Sequence, residues 1–417
     1  MTARRSNPVA VLRSVVRIDR PAGSRVERRL ARCASVDDLR REAHRRLPGG
    51  CFDYIDGGAE DELTMAANRR AFQRVGFRPR VLRGISEPTT TSSLLGEPVG
   101  MPMVLAPTGF TRIADPDGEL AVARAAERAQ VPYTLSTLST RSIEEVRAVS
   151  SGRLWFQVYA WRDRGLVAEM VARARAADFE ALVLTVDTAV FGRRERDVRR
   201  GFSLPPSIGL GTAIDGIRHP RWTVDFLRAE PIRFANVTGS GVADGSSPVT
   251  LSDYINRQFD HTLSWADLDW LRSIWPGPIL VKGIQGVEDA VEAAARGVDG
   301  IVLSNHGGRQ LDGAPATFDL VAPVRDAVGD STTVICDGGV RRGSDIVKAV
   351  AAGADACMAG RAYLYALGAA GELGVDRLLS WWSDDIARVQ ALLGVDRIAD
   401  LDRSFLDRSF LDRSELR

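Results

Sequence analysis

PILVKGIQGVEDAVEAAARGVDGIVLSNH, residues 278–306, reads as a strand (279–282), a helix (287–296) and a second strand (300–304) that runs into polar residues. Short apolar, β-branched runs alternating with longer helical ones mark βα units around a parallel sheet. The same alternation continues from 101 to 394, with strands predicted at 102–107, 133–136, 154–159, 181–186, 279–282, 300–304, 333–337 and 356–359. Helices are predicted at 118–130, 143–149, 166–177, 265–275, 287–296, 320–328, 345–352 and 375–393. In the third of these, Leu166, Met170, Ala174 and Ala177 recur at spacings of four, four and three, which places them on one face. Eight units in succession predict an α/β chain closed into a (β/α)8 TIM barrel; a doubly wound sheet would alternate too, but rarely needs eight consecutive units.

Two pieces stand outside the repeat. Residues 35–80 form an N-terminal helical segment, with Ser35 and Asp38 as an N-cap pair and LPGG at 47–50 as a break. Residues 201–261 are a long insertion after strand 4, and at the catalytic rim such a piece is a lid or a docking surface. It contains a flexible GSGVADGSSP (239–248), and its WTVDFL (222–227) and IRF (232–234) suit either a membrane surface or packing on the barrel. The expected organisation is a basic N-terminal arm (1–34), a barrel domain (35–394) and a C-terminal tail (395–417). In the tail LDRSF at 401–405 recurs at 406–410, a five-residue period that suits neither strand nor helix, so it is read as low-complexity.

Composition narrows the function classes. The chain of 417 residues has 55 Lys plus Arg against 54 Asp plus Glu, so its net charge of +1 gives no field to attract nucleic acid. Cys33, Cys51, Cys336 and Cys357 lie far apart with no CxxC, which points away from disulfides and towards a reducing, cytoplasmic setting. His44, His219 and His261 have no ligand spacing to one another or to His306, so no metal site is expected. No run of 18 apolar residues predicts a membrane span. The arm, with nine arginines in its first 32 residues, reads as a loosely ordered tail or a contact for acidic lipid or a neighbouring subunit.

The strand ends carry the chemistry. In chain order they offer Thr108 and Gly109, Ser136, Gln157 and Tyr159, Thr185 and Asp187, Lys282, Ser304 and His306, then Asp337 to Gly339. Such a ring of hydroxyl, amide, ammonium, carboxylate and imidazole groups on one rim favours a polar ligand. In SNHGGRQ (304–310), Arg309 can hold a carboxylate bidentately, and Asp187 is the natural partner to orient His306 as it takes a proton. DGGVRRG (337–343) and AGRA (359–362) offer amides, a helix N-terminus, Arg341 and Arg361 where barrels often bind phosphate. No GxGxxG opens a helix, so the phosphorylated cofactor is not a Rossmann dinucleotide. Lys282 is one of two lysines among the 55 basic residues, and a compact ammonium suits negative charge developing at the N1 and C2 carbonyl locus of a reduced flavin.

With FDYIDGGAED (52–61), TVDT (185–188) and GRA (360–362), these motifs resemble the FMN-dependent L-2-hydroxy acid oxidase and dehydrogenase family from about residue 35 to 394. APTGFTR (106–112), HPRW (219–222) and GRAYLY (360–365) are most similar to the bacterial quinone-linked L-lactate dehydrogenases. The resemblance implies bound FMN, oxidation of a small L-2-hydroxy acid, quinone or oxygen as acceptor, and a homo-oligomer, a tetramer, in the cytoplasm or peripheral on the inner face of the cell membrane. It makes His306 the base and Asp187 its carboxylate, Arg309 and Arg194 the groups near the substrate carboxylate, and Tyr54 and Tyr159 the tyrosines reaching the substrate. Flavin contacts fall to Thr108, Ser136, Gln157, Thr185, Lys282 and Ser304, and the phosphate end to Asp337, Gly339, Arg341, Gly360 and Arg361. Gly109, where oxidases of the family often have Ala, favours an acceptor other than oxygen. The rival readings are an oxygen-using oxidase of a larger, mandelate-like or biosynthetic 2-hydroxy acid, a peptide-modifying flavin oxidase, against which Arg309 argues, and a silent barrel, which would be expected to lose His306, Asp187 or Lys282.

Overall fold

In the computed structural model, which describes residues 23–200, 215–237, 258–407 and 409, eight buried strands close on one another as a parallel barrel. They are β1 Met103–Leu105, β2 Tyr133–Ser136, β3 Leu154–Val158, β4 Ala181–Thr185, β5 Ile279–Ile284, β6 Gly300–Leu303, β7 Thr333–Asp337 and β8 Ala356–Ala359. Neighbours follow chain order, and β8 returns to β1. Each strand is followed by a helix: α1 Glu119–Arg128, α2 Ile143–Val149, α3 Arg164–Ala176, α4 Trp265–Ile274, α5 Val287–Ala295, α6 Thr317–Val328, α7 Gly343–Ala352 and α8 Arg361–Ala370.

The two-residue period of a strand explains how this core becomes a site. Trp155, Val183, Leu280, Val302 and Ile335 belong to the small apolar cluster inside the barrel. Two residues further along the same strands stand Gln157, Thr185, Lys282, Ser304 and Asp337. One face of each strand is thus apolar where the barrel must be filled and polar at the rim. Leu94 and Val99, from the antiparallel hairpin Ser92–Leu94 and Glu97–Val99, join the interior cluster at the end where the strands begin.

The N-terminal segment contains helices Val36–Arg46, Gly49–Asp56 and Leu63–Gln73. Ser35 caps the first, accepting from the Asp38 amide at 3.3 Å. Asn68, on the third, exchanges hydrogen bonds of 2.8 and 2.9 Å with Asn305 just after β6. Both amides are buried, so the pair fixes the segment to the rim as well as covering it.

The structure departs from the sequence reading in three places. The helix after β8 is α8, and the predicted run at 375–393 belongs to a further helix, Glu372–Leu393. Residues 362–370 of α8 are all buried, and a helix enclosed on every side shows no polar stripe to announce it. The start of the expected tail is packed: Leu401, Phe405 and Leu406 are buried, and Leu406–Asp407 pairs antiparallel with Gly76–Phe77. In the arm, Arg25–Leu30 is a helix closed by a capping box between Ser24 and Glu27.

Of the insertion, 215–237 and 258–261 are described, and 239–248 lies outside the described residues. Trp222 and Phe234, two of the candidates for a membrane-facing surface, turn inward. Trp222 Nε1 donates to the Ile113 carbonyl at 2.8 Å, and Phe234 is buried. Helix Pro220–Arg228 instead exposes Val224 and Leu227.

Candidate active site

A cavity of about 560 Å³, within the range of small-molecule sites, opens where the strands end. Thirteen of the expected site residues line it: Tyr54, Thr108, Ser136, Tyr159, Arg194, Lys282, His306, Arg309, Asp337, Gly339, Arg341, Gly360 and Arg361. Asp187, Gln157 and Ser304 bond directly to lining residues, and Thr185 is the register partner of Lys282.

His306 follows β6 in a left-handed backbone conformation, φ 57°. Its Nδ1 lies 3.0 Å from Asp187 Oδ1. Gly283 makes room for that carboxylate: it sits at a bulge in β5 with φ 114°, and a Cβ there would fall 2.8 Å from Asp187 Cβ. Burial lowers the His306 pKa below the ordinary imidazole value of 6.5, and Lys282 and Arg194 act the same way against Asp187. Burial would raise the Asp187 carboxyl, but the imidazole and Lys282 outweigh it and hold its pKa low. The pair is therefore a neutral imidazole on a carboxylate at neutral pH, ready to accept a proton.

Three residues along the same loop, Arg309 donates to the Tyr54 carbonyl at 2.7 Å and the Gly57 carbonyl at 3.0 Å. Its guanidinium lies 5.1 Å from the Tyr54 ring centroid, and that of Arg194 lies 5.7 Å from the same ring. Burial, with Arg194 next, lowers the Arg309 pKa to about 9. Among the described residues neither arginine has an ion pair, and a carboxylate is the group that would complete them. Gln310 staples this loop to the one after β4, donating to the Asp187 and Val190 carbonyls and accepting from Gly192.

The floor of the cavity is a polar chain across β5, β6 and β7. Lys282 Nζ donates to Ser304 Oγ at 2.9 Å and pairs with Asp337 at 3.1 Å, while Ser304 donates to Asp337 at 2.7 Å. On β2 and β3, Ser136 donates to Gln157 Oε1 at 3.0 Å, which leaves Gln157 Nε2 buried without a partner among the described residues. Thr185 Oγ1 is likewise buried and unmatched.

The phosphate end differs from expectation in two respects. The amides of Arg341 and Arg342, at the start of α7, are already taken by Asp345. The open helix start is that of α8, where Gly360 provides no side-chain cap. Arg361 spends its nitrogens on the Ile55, Gly57 and Gly307 carbonyls, so it ties the N-terminal segment to the His306 loop.

Several lining residues escaped the sequence reading. Asp197 follows Arg194 at a spacing of three on helix Glu195–Arg200, a pattern that could have flagged it. Burial raises its pKa, against Arg309 and Arg194. Gln310 was visible in its motif without an evident role. Phe234 carries no local signal, because only the folding of the insertion brings it to the rim.

The model of FMN-dependent dehydrogenases matches residues 43–408. The chain belongs to the FMN-dependent dehydrogenase family. A putative L-lactate dehydrogenase of Mycobacterium tuberculosis is 45% identical over 399 residues, 95% of each chain. The L-lactate dehydrogenase of Yersinia pestis is 42% identical over 373 residues, covering 88% of this chain and 97% of its own. The solved structure of the monotopic membrane protein (S)-mandelate dehydrogenase is 41% identical with a TM-score of 0.87, covering 90% of this chain and 100% of that one. This dehydrogenase is thus a flavin enzyme, and its unmatched buried donors, buried ammonium and open helix start suit FMN.

The pair's protonation gives a pH test. The base form of His306 prevails above its pKa, so kcat/KM holds at neutral pH and falls only as pH drops through a value below 6.5. Asp187→Asn removes the group that raises that pKa, so the acid limb moves to lower pH while kcat drops about 10²–10⁴-fold. An unmoved limb with undiminished kcat would contradict the pairing.

Proposed function

We propose that this dehydrogenase oxidises a small, lactate-like L-2-hydroxy acid to the 2-oxo acid and passes the electrons to a quinone or another acceptor. The observation that carries the reading is the placing of His306 and Arg309 on one loop, a neutral imidazole and an unpaired guanidinium facing one cavity.

Bound FMN supplies a two-electron acceptor. Arg309, with Arg194 and Tyr54, holds the substrate carboxylate and so fixes Cα relative to His306. The oxidation releases two electrons and two protons: His306 takes one proton at Nε2, and the electron pair and the other proton would pass to the bound acceptor. Asp187, on Nδ1, fixes the tautomer and stabilises the imidazolium that results. Lys282 offsets the negative charge arriving with the electrons, with Ser304 and Asp337 holding its ammonium in place. Thr108, Ser136, Gln157 and Thr185 would hold the ring system, and Gly339, Arg341, Gly360 and the start of α8 the phosphate. The names of the L-lactate dehydrogenase relatives support a lactate-like substrate. A larger, mandelate-like acid is the second reading, favoured by the name of the (S)-mandelate dehydrogenase neighbour.

A peripheral membrane contact belongs to the same reading. No helix among the described residues is long and apolar enough to cross a membrane. Helix Pro220–Arg228 exposes Val224 and Leu227, and the (S)-mandelate dehydrogenase neighbour is described as monotopic. Val224→Glu with Leu227→Glu should release the protein from sedimenting membranes with soluble turnover intact; equal sedimentation of both forms would remove this helix from the contact.

Anaerobic mixing with L-lactate, glycolate or (S)-mandelate tests the reaction. The yellow protein should bleach, and His306→Gln should slow bleaching about 10²–10⁴-fold while FMN stays bound. Arg309→Met should raise the substrate concentration needed by about a hundredfold, since truncating one partner of a buried charge pair is costly. Bleaching by none of the three acids would refute the assignment.

A further inference from the structure

Beyond the groups assigned to the carboxylate and hydroxyl, the cavity wall is a row of aromatic rings whose order is set by their contacts. Tyr54, flanked by both guanidinium groups, meets Phe110 edge to face with centroids 6.3 Å apart. Phe110 in turn meets Phe234 edge to face at 4.5 Å. All three line the cavity, so the row leads away from the carboxylate end. A 2-hydroxy acid held through its carboxylate and hydroxyl has one group left on Cα besides hydrogen. The row is the wall that this group would meet.

Both phenylalanines are held in place. Phe110 has a left-handed backbone, φ 57°, and its amide donates to the Leu138 carbonyl at 3.3 Å. An aromatic residue keeps that conformation only where its surroundings dictate it. Phe234 is anchored by the residues that follow it. The Ala235 amide donates to the Ser139 carbonyl at 3.2 Å, and Asn236 donates to Ser139 Oγ at 2.8 Å while accepting from the Ile143 amide at 3.0 Å. Trp222 adds a bond to Ile113, at the end of the turn Thr111–Ile113 that starts at Phe110. The insertion is thereby pinned to the loops after β1 and β2, and the rings are preorganised rather than free to swing aside.

We infer that the Phe110–Phe234 pair limits the length of the substituent at Cα, which makes Phe234, contributed by the insertion, a specificity-determining residue. The inference rests on the 2-hydroxy acid reading above and gives it a substrate class: acids with a short apolar substituent.

The test uses the full-length, FMN-loaded protein and two series of equal chain lengths. Unreactive straight-chain carboxylic acids from acetate to octanoate are titrated by the change in flavin absorbance, and kcat/KM is measured for the corresponding L-2-hydroxy acids. In the wild type both profiles should rise over the first carbons and then fall. In Phe234→Ala the fall should move to longer chains, with the octanoate-to-propionate affinity ratio rising about tenfold or more, since a hydrophobic pocket discriminates each added methylene by roughly 10–200-fold. If the alanine variant loses FMN, Phe234→Leu takes its place and should shift the profile in the same direction by a smaller amount. Identical chain-length profiles in variant and wild type overturn the inference while oxidation itself stands. A shifted carboxylate profile with no hydroxy acid oxidised by the wild type supports the wall and overturns the reaction.

Discussion

A half-buried, strongly desolvated guanidinium group with no ion pair among the described residues is the constraint around which the rim of this barrel is built. Desolvation disfavours such a charge, so the surroundings must answer it. The answer for Arg309 is partial: two backbone carbonyls from the N-terminal segment, the face of Tyr54 and the Asp197 carboxyl, which is near but makes no ion pair with it, against Arg194 adding positive charge. What is still missing is one small anion. The same shortage explains why the N-terminal helices cannot be mere decoration, because the carbonyls of Tyr54 and Gly57 come from them.

The imidazole and the guanidinium share a loop, so whatever fixes one fixes the other. That loop is held from below by Asn305 on Asn68, from the side by Gln310 on the loop after β4, and from the N-terminal segment by Arg361 on the Gly307, Gly57 and Ile55 carbonyls. The left-handed backbone of His306 is tolerated inside this frame. A base and an anion hole held this firmly need little reorganisation when substrate arrives, which is how fixed dipoles and charges lower a barrier.

Much of this was legible in the sequence, and the exceptions have physical causes. The strands could be read because each is apolar, β-branched and bounded by loops, and the rim residues because a two-residue period carries them up from the filled interior. α8 was missed because it is enclosed on all sides and offers no polar face to set a period. The tail was misjudged because two nearly identical repeats share one composition, and burial of Phe405 and Leu406 depends on where Gly76–Phe77 happens to lie. The sequence leaves open whether Phe234 and Trp222 face a membrane or the barrel, because nothing local shows which side of an insertion meets the barrel. Arg361 lines the cavity as its motif suggests, and its bonds to three backbone carbonyls are a further role that no motif records.

Arg309 and His306 grip the same anion, and binding of pyruvate, a product-like acid that cannot be oxidised further at Cα, measures this without turnover. Its Kd should tighten as pH falls through the His306 pKa, since an anion beside the imidazole favours the protonated form, and Arg309→Met should weaken it about a hundredfold while the pH trend persists. A Kd that ignores both pH and the loss of the guanidinium would show that the two side chains do not share a ligand.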